Sequence, residues 1–268
     1  VAYSTDGFAW ATTSISSDND KWNDVTYGNG IFVAVGAQGT RVVTSNDGLV
    51  WTDRSALSDN DAWRAITYGN GRFVAVGESA TGDGAMFSSD GITWLSASTT
   101  VSEAFYDVVF ANGLFVAVGK TSGTIITSPD GIYWKVRSTS LGQFTSVAYG
   151  RGKYVAVGET SGSRVVVSQD GINWTAVSAL GNDDSWKSVA YENGTFVAVG
   201  NGPDRMMTSP DGVSWTSQNI LGNDDEWTSV AYGNGMFVVV GSSTAEKFAR
   251  SSALSFNLGN GTSSVTFV

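Results

Sequence analysis

The sequence predicts an all-β fold: a seven-bladed β-propeller of four-stranded repeats about 41 residues long, with a six-bladed ring as the alternative. Three observations carry that expectation. A single unit recurs six times, led by Trp22, Trp63, Phe105, Phe144, Trp186 and Trp227, so successive leaders lie 39 to 42 residues apart. Every unit holds Gly-Asn-Gly or a close variant, and all but the sixth, where Ser251 to Phe256 has lost both Asp and Gly, hold Ser-x-Asp-Gly-x-x-aromatic. The chain also opens and closes on partial units, so strands from its two ends can complete one shared blade.

The elements follow in order. The first strand is aromatic-x-x-Val/Ile-x-Tyr/Phe, as in Trp22, Val25 and Tyr27. Gly28-Asn29-Gly30, Gly69-Asn70-Gly71 and Ala111-Asn112-Gly113 then reverse the chain, since Asn-Gly accepts the positive φ values of a type I′ hairpin. The second strand, Phe32-Val-Ala-Val-Gly36 and its copies, is apolar throughout and expected to be buried on both faces. After a loop of variable length comes a third strand such as Arg41–Ser45, then the Asp-Gly turn, then a fourth strand from Trp51. Such repeats cannot bury both faces alone and stack radially, with their aromatics filling the wedges between them. Burying each aromatic contributes about 2–3 kcal/mol.

Residues 1–268 read as a single propeller domain, with a partial blade at 1–19 and full blades at 20–62, 63–104, 105–143, 144–185, 186–226 and 227–258. Residues 259–268 read as the first strand of the composite blade, because Leu258 to Val268 repeats the outline of Leu221 to Tyr232. The start at Val1, inside a strand, reads as a processed chain or a piece of a longer one.

Composition narrows the chemistry. A net charge of −10 repels phosphate backbones and excludes nucleic acid as an expected partner. No run of 18 apolar residues is present, so no membrane insertion is expected. The chain has no Cys and no His, which removes disulfides, thiolate catalysis, Ser-His-Asp chemistry and the commonest transition-metal ligand.

The Ser-x-Asp-Gly-x-x-Trp turn, preceded by Phe-Val-Ala-Val-Gly, resembles the BNR or Asp-box repeats of sialidase-like propellers. It is also similar to the repeats of the photosystem II assembly-factor type. This version is one residue shorter between Asp and Gly than the usual Asp box. The resemblance covers nearly the whole chain and implies that Asp6, Asp47, Asp90, Asp130, Asp170 and Asp211 are structural. Turn chemistry agrees, because an Asp beside Gly can accept backbone N–H bonds and hold its own turn. A sialidase would also need an arginine cluster and a Tyr–Glu pair. The nine arginines are scattered, although Arg41, Arg164 and Arg205 share one slot before the third strand.

In an up-and-down blade both turn signals fall at one end, while the second-to-third loops and the connections between blades fall at the other. The first set hardly changes between repeats and the second changes freely, and such loops on a rigid scaffold are where binding resides. The connections carry acids: Asp18, Asp20, Asp59, Asp61, Glu103, Asp183, Asp184, Asp224, Asp225 and Glu226. These form a candidate ligand-binding rim. Their oxygens suit Ca²⁺, with a solvated acidic rim as the alternative; no other metal or cofactor is expected. The sequons at Asn173, Asn193 and Asn260 lie in strands or tight turns and read as structural. The leading expectation is a non-enzyme: a propeller binding a glycan or protein as an adhesion module outside a cell or on a virus particle. The alternatives are a sialidase-type glycoside hydrolase and a structural subunit of a larger assembly.

Overall fold

The computed structural model describes residues 2–4, 9, 11–13, 21–37, 41–57, 62–78, 84–138, 141–162, 164–178, 185–202, 205–218, 226–233, 235–241 and 248–250. Contacts divide the chain into two compact units, Val1–Ser140 and Leu141–Val268. Every sheet among the described residues is antiparallel, and no helix occurs among them.

Unit 1 opens with a short pair, β1 (Ala2–Tyr3) and β2 (Ala11–Thr12), in which Ala2 faces Thr12 and Tyr3 faces Ala11. Three four-stranded sheets follow. The first is β3 (Trp22–Gly28), β4 (Ile31–Gly36), β5 (Arg41–Ser45) and β6 (Thr52–Ser55). The second is β7 (Ala62–Gly69), β8 (Arg72–Glu78), β9 (Ala85–Ser88) and β10 (Leu95–Ser96). The third is β11 (Phe105–Ala111), β12 (Leu114–Gly119), β13 (Ile125–Ser128) and β14 (Lys135–Ser138).

Unit 2 repeats the plan. Its first sheet is β15 (Gly142–Gly150), β16 (Lys153–Gly162), β17 (Val165–Ser168) and β18 (Thr175–Val177). Next come β19 (Ser185–Glu192), β20 (Thr195–Asn201), β21 (Met206–Ser209) and β22 (Thr216–Ser217). The last described sheet is β23 (Trp227–Gly233), β24 (Met236–Gly241) and β25 (Phe248–Arg250). Residues 259–268, assigned above to the composite blade, lie outside the described residues.

Strand order in each sheet is the order of the chain, so consecutive strands are hairpin neighbours. The hairpins between first and second strands have the backbone their residues call for. Asn29, Asn70, Asn112 and Asn193 all have φ of 48–49°, and the glycines after them are also positive. Within unit 1, β3 packs on β7 and β7 on β11; within unit 2, β15 packs on β19 and β19 on β23. The leading aromatic of each later sheet fills the wedge against the sheet before it. Trp63 lies among Val33, Val35 and Val42, and Phe105 among Val74 and Val76. In unit 2, Trp186 packs with Val155 and Val157, and Trp227 with Val197 and Val199.

The Asp-Gly turns are held by one repeated set of bonds. Asp47 Oδ1 accepts the Leu49 N–H at 2.8 Å and the Val50 N–H at 2.9 Å, and Ser45 Oγ accepts the Gly48 N–H at 2.8 Å. The indole of Trp51 donates to the Gly48 carbonyl at 3.0 Å, closing the turn on the fourth strand. Asp90, Asp130, Asp170 and Asp211 accept the equivalent N–H pairs. These bonds hold the Asp47 and Asp90 carboxyls below their usual range; at Asp130 and Asp211 burial pushes up and the bonds outweigh it. Asp6 lies outside the described residues.

Candidate functional site

All first strands share a second feature, and it places the site. Pairing slips by one residue just after the leading aromatic, between Trp22 and Asp24, Trp63 and Ala65, Phe105 and Asp107, Phe144 and Ser146, Trp186 and Ser188, and Trp227 and Ser229. The residue inside each bulge, Asn23, Arg64, Tyr106, Thr145, Lys187 or Thr228, is therefore left out of the ladder. Bulges re-aim side chains and gather at functional sites. These lie at the loop end of each sheet, beside the glycine that ends the second strand.

Three bulge residues use their freedom on the scaffold. Asn23 Nδ2 donates to the Trp63 carbonyl at 2.7 Å, Thr145 Oγ1 to the Trp186 carbonyl at 2.8 Å, and Thr228 Oγ1 to the Val240 carbonyl at 3.1 Å. The others form side-chain clusters. In unit 1, Arg64 Nη2 lies 2.5 Å from Glu78 Oε1, and the Tyr106 hydroxyl donates to the same oxygen at 3.2 Å. The Arg64 guanidinium carbon stands 5.0 Å from the Tyr106 ring centre and Lys120 Nζ 5.1 Å from it. An ion pair this exposed, at 33% and 42%, contributes only about 0–1 kcal/mol to folding. The buried Arg64 Nε has no partner. In unit 2, Lys187 pairs with Glu159, and the buried Asn201 Oδ1 lacks a partner. These open or unmatched polar groups sit where the sequence varies, on a frame that does not.

Loop closure keeps that frame fixed. Gly77 N donates to Gly84 O at 3.1 Å, Gly119 N to Thr124 O at 2.8 Å, Gly158 N to Arg164 O at 2.9 Å, and Gly200 N to Arg205 O at 2.9 Å. In that shared slot Arg164 and Arg205 supply the accepting carbonyls.

Most of the acidic rim, namely Asp18, Asp20, Asp59, Asp61, Asp183, Asp184, Asp224 and Asp225, lies outside the described residues. Glu226 is exposed. Glu103, in the connection before β11, is turned onto the loop between β12 and β13: Oε1 accepts the Thr121 N–H at 2.7 Å and the Ser122 N–H at 3.0 Å, and Oε2 accepts from Ser122 Oγ and Thr124 Oγ1. Among the described residues, no group of three or more acids could hold a metal ion. Arg64, Tyr106 and Lys187 were not singled out by the sequence reading. The signal was available in the column after the leading aromatic, which changes at nearly every repeat while the leader stays Trp or Phe.

No protein-family model and no curated protein matches the chain. Solved structures do. A catalytically inactive variant of virginiamycin B lyase from Staphylococcus aureus, with quinupristin, is similar with a TM-score of 0.78 at 10% identity, over 91% of this chain and 84% of that one. YCF48 bound to D1 peptide is similar with a TM-score of 0.67 at 14% identity, over 95% and 85%. The GH74 enzyme of Niastella koreensis gives 0.65 at 17%, over 87% of this chain and 36% of that one. All three are β-propellers, and at such identities the likeness shows the fold alone: this chain is an all-β, propeller-class protein.

The same comparison corrects the expectation of a non-enzyme. Two of these neighbours are enzymes, so the architecture gives no ground for denying catalysis. Missing His and Cys removed particular mechanisms, and carboxylate chemistry was never among them.

Proposed function

We infer that this propeller recognises a protein partner through the loop end of its sheets, taking a short segment of that partner at Arg64, Glu78, Tyr106 and Lys120. One observation carries the reading: the bulge position, next to an invariably aromatic leader, varies as Asn, Arg, Tyr, Thr, Lys and Thr. Arginine and tyrosine are the side chains most often found at the energetic centres of protein interfaces. Here each is rigidly based on a bulge and carries donors or a ring face to offer. A peptide bound to YCF48 is a precedent for a propeller taking a protein segment.

The test is selection from a displayed peptide library, followed by titration of the enriched peptides. Tyr106→Ala and Arg64→Ala should each weaken binding roughly tenfold or more. An equal enrichment on the double variant would defeat the reading. So would binding to an immobilised glycan series that is lost in the same variants while no peptide binds.

A further inference from the structure

The residue that follows each bulge sits at the seam between neighbouring first strands, and its identity divides the two units. In unit 2 it is serine. Ser146 Oγ accepts the Val189 N–H at 3.2 Å, and Ser188 Oγ accepts the Val230 N–H at 3.2 Å. In unit 1 the corresponding residues are Asp24, Ala65 and Asp107. Asp24 makes the serine's contact with a carboxyl group: Oδ2 accepts the Ile66 N–H of β7 at 2.8 Å, while Oδ1 accepts the Val25 N–H of its own strand at 2.8 Å. Ala65 has no acceptor to offer β11, and there the Val108 N–H turns to Asp107 Oδ1 at 2.8 Å.

A hydroxyl at this seam stays neutral across the physiological range, whereas a carboxyl need not. Asp24 is half-buried, enclosed on most sides with a strip of its surface still meeting water. Burial pushes its carboxyl up to about 7, helped by the charge of Asp107 and opposed by the N–H groups of Ile66 and Val25. The other neighbours are accounted for. β4 carries no ionisable side chain. On β7, Arg64 is held by Glu78, and the Tyr68 ring lies over Gly28. On β11, Tyr106 is bonded to Glu78, which leaves Asp107 as the described charge acting on Asp24. The neutral acid keeps lone pairs for both N–H groups and removes the repulsion with Asp107.

We propose that Asp24 is a proton-operated clasp on the seam between β3 and β7: protonated, it holds the two strands together, and ionised beside Asp107 it loosens them and the bulge that aims Arg64. The effect on a ligand rests on the recognition role assigned above; the clasp itself does not. A carboxyl raised in the folded chain contributes stability that is complete below its unfolded value of 3.8 and is lost as the pH rises to about 7.

Amide exchange of Ile66, followed by NMR from about pH 5.5 to about pH 8.5 and normalised to intrinsic rates, tests it directly. Protection of Ile66 should fall by roughly tenfold, while Val189 and Val230 at the serine seams hold theirs. Asp24→Ser should flatten the Ile66 profile. Asp107→Asn, which keeps an acceptor for Val108, should move its midpoint to lower pH and serves if the first variant does not fold. An Ile66 profile parallel to those of Val189 and Val230 overturns the clasp, as does a fall that survives in Asp24→Ser. Peptide affinity at the same pH values separates the two ideas. Affinity falling with the Ile66 midpoint supports the link to Arg64. Affinity unchanged while Ile66 responds overturns that link alone, and no peptide binding at any pH refutes the recognition role and leaves the clasp standing.

Discussion

Each sheet has an end that repeats and an end that does not. At the turn end the serine hydroxyls of Ser45, Ser88, Ser128, Ser168 and Ser209 accept a glycine N–H at 2.8 Å in all five described turns. At the loop end the bulge residue is scaffold in one repeat, cation in the next and ring in a third. The difference is instructive because both ends belong to the same strands. Register is settled by the hairpins and the turn bonds, so the far end can change its side chains without the ladder slipping. Stability and the proposed recognition are thereby assigned to opposite ends of one element.

That assignment breaks if the turn end proves tolerant. Gly131 has φ of 74°, and a Cβ there would lie 2.5 Å from Val74 Cγ2 on the neighbouring sheet. Gly131→Ala should cost about 3 kcal/mol, from the left-handed backbone and the overpacking together, measured by urea unfolding. Asp130→Ala strands the N–H groups of Ile132 and Tyr133 and should cost about 2 kcal/mol in the same assay.

Acidity sharpens the contrast, because the two kinds of aspartate respond with opposite sign. The turn carboxyls Asp47 and Asp90 are held low, so their contribution is complete above the unfolded value of 3.8 and is lost as pH falls through the lower folded value. Asp24 works the other way. The melting temperature of the chain should rise as pH is lowered from about 8 to about 5, then fall below about 3.5. Asp24→Ser should erase the first slope and keep the second. At the loop end, Tyr106→Ala should change stability by less than about 1 kcal/mol while removing recognition. The smallest effect is a gain. Arg151 occupies the hairpin's asparagine place with φ of 48° and reaches the Pro210 carbonyl at 3.1 Å, as Asn70 reaches that of Pro129 at 3.2 Å. Arg151→Asn should stabilise by about 0.5 kcal/mol in urea, since asparagine accepts this backbone more readily.

Strands and turns were legible in the sequence because their causes are local. Asn70-Gly71 demands its φ values whatever surrounds it, and Asp90 finds its partners within three residues. The clusters have no such locality. Glu78 meets Arg64 across one hairpin and Tyr106 across the gap between sheets, and nothing in the strand Trp63–Tyr68 taken alone distinguishes Arg64 from a solvated strand residue. Asp24 was passed over for the same reason, its partner Ile66 lying in the next repeat. Both become visible only when equivalent positions are read down the repeats. Of the acids that were conspicuous in the sequence, the one whose carboxylate bonds are described, Glu103, ties the connection before β11 to the loop between β12 and β13.

The bond at the base of four described second-to-third loops has a further use. Gly77 to Gly84, Gly119 to Thr124, Gly158 to Arg164 and Gly200 to Arg205 close loops of different length with the same backbone contact. Whatever is threaded between two such anchors is insulated from the strands beneath it. Foreign segments could therefore be grafted at these four places in turn, each held like a tool in a common handle.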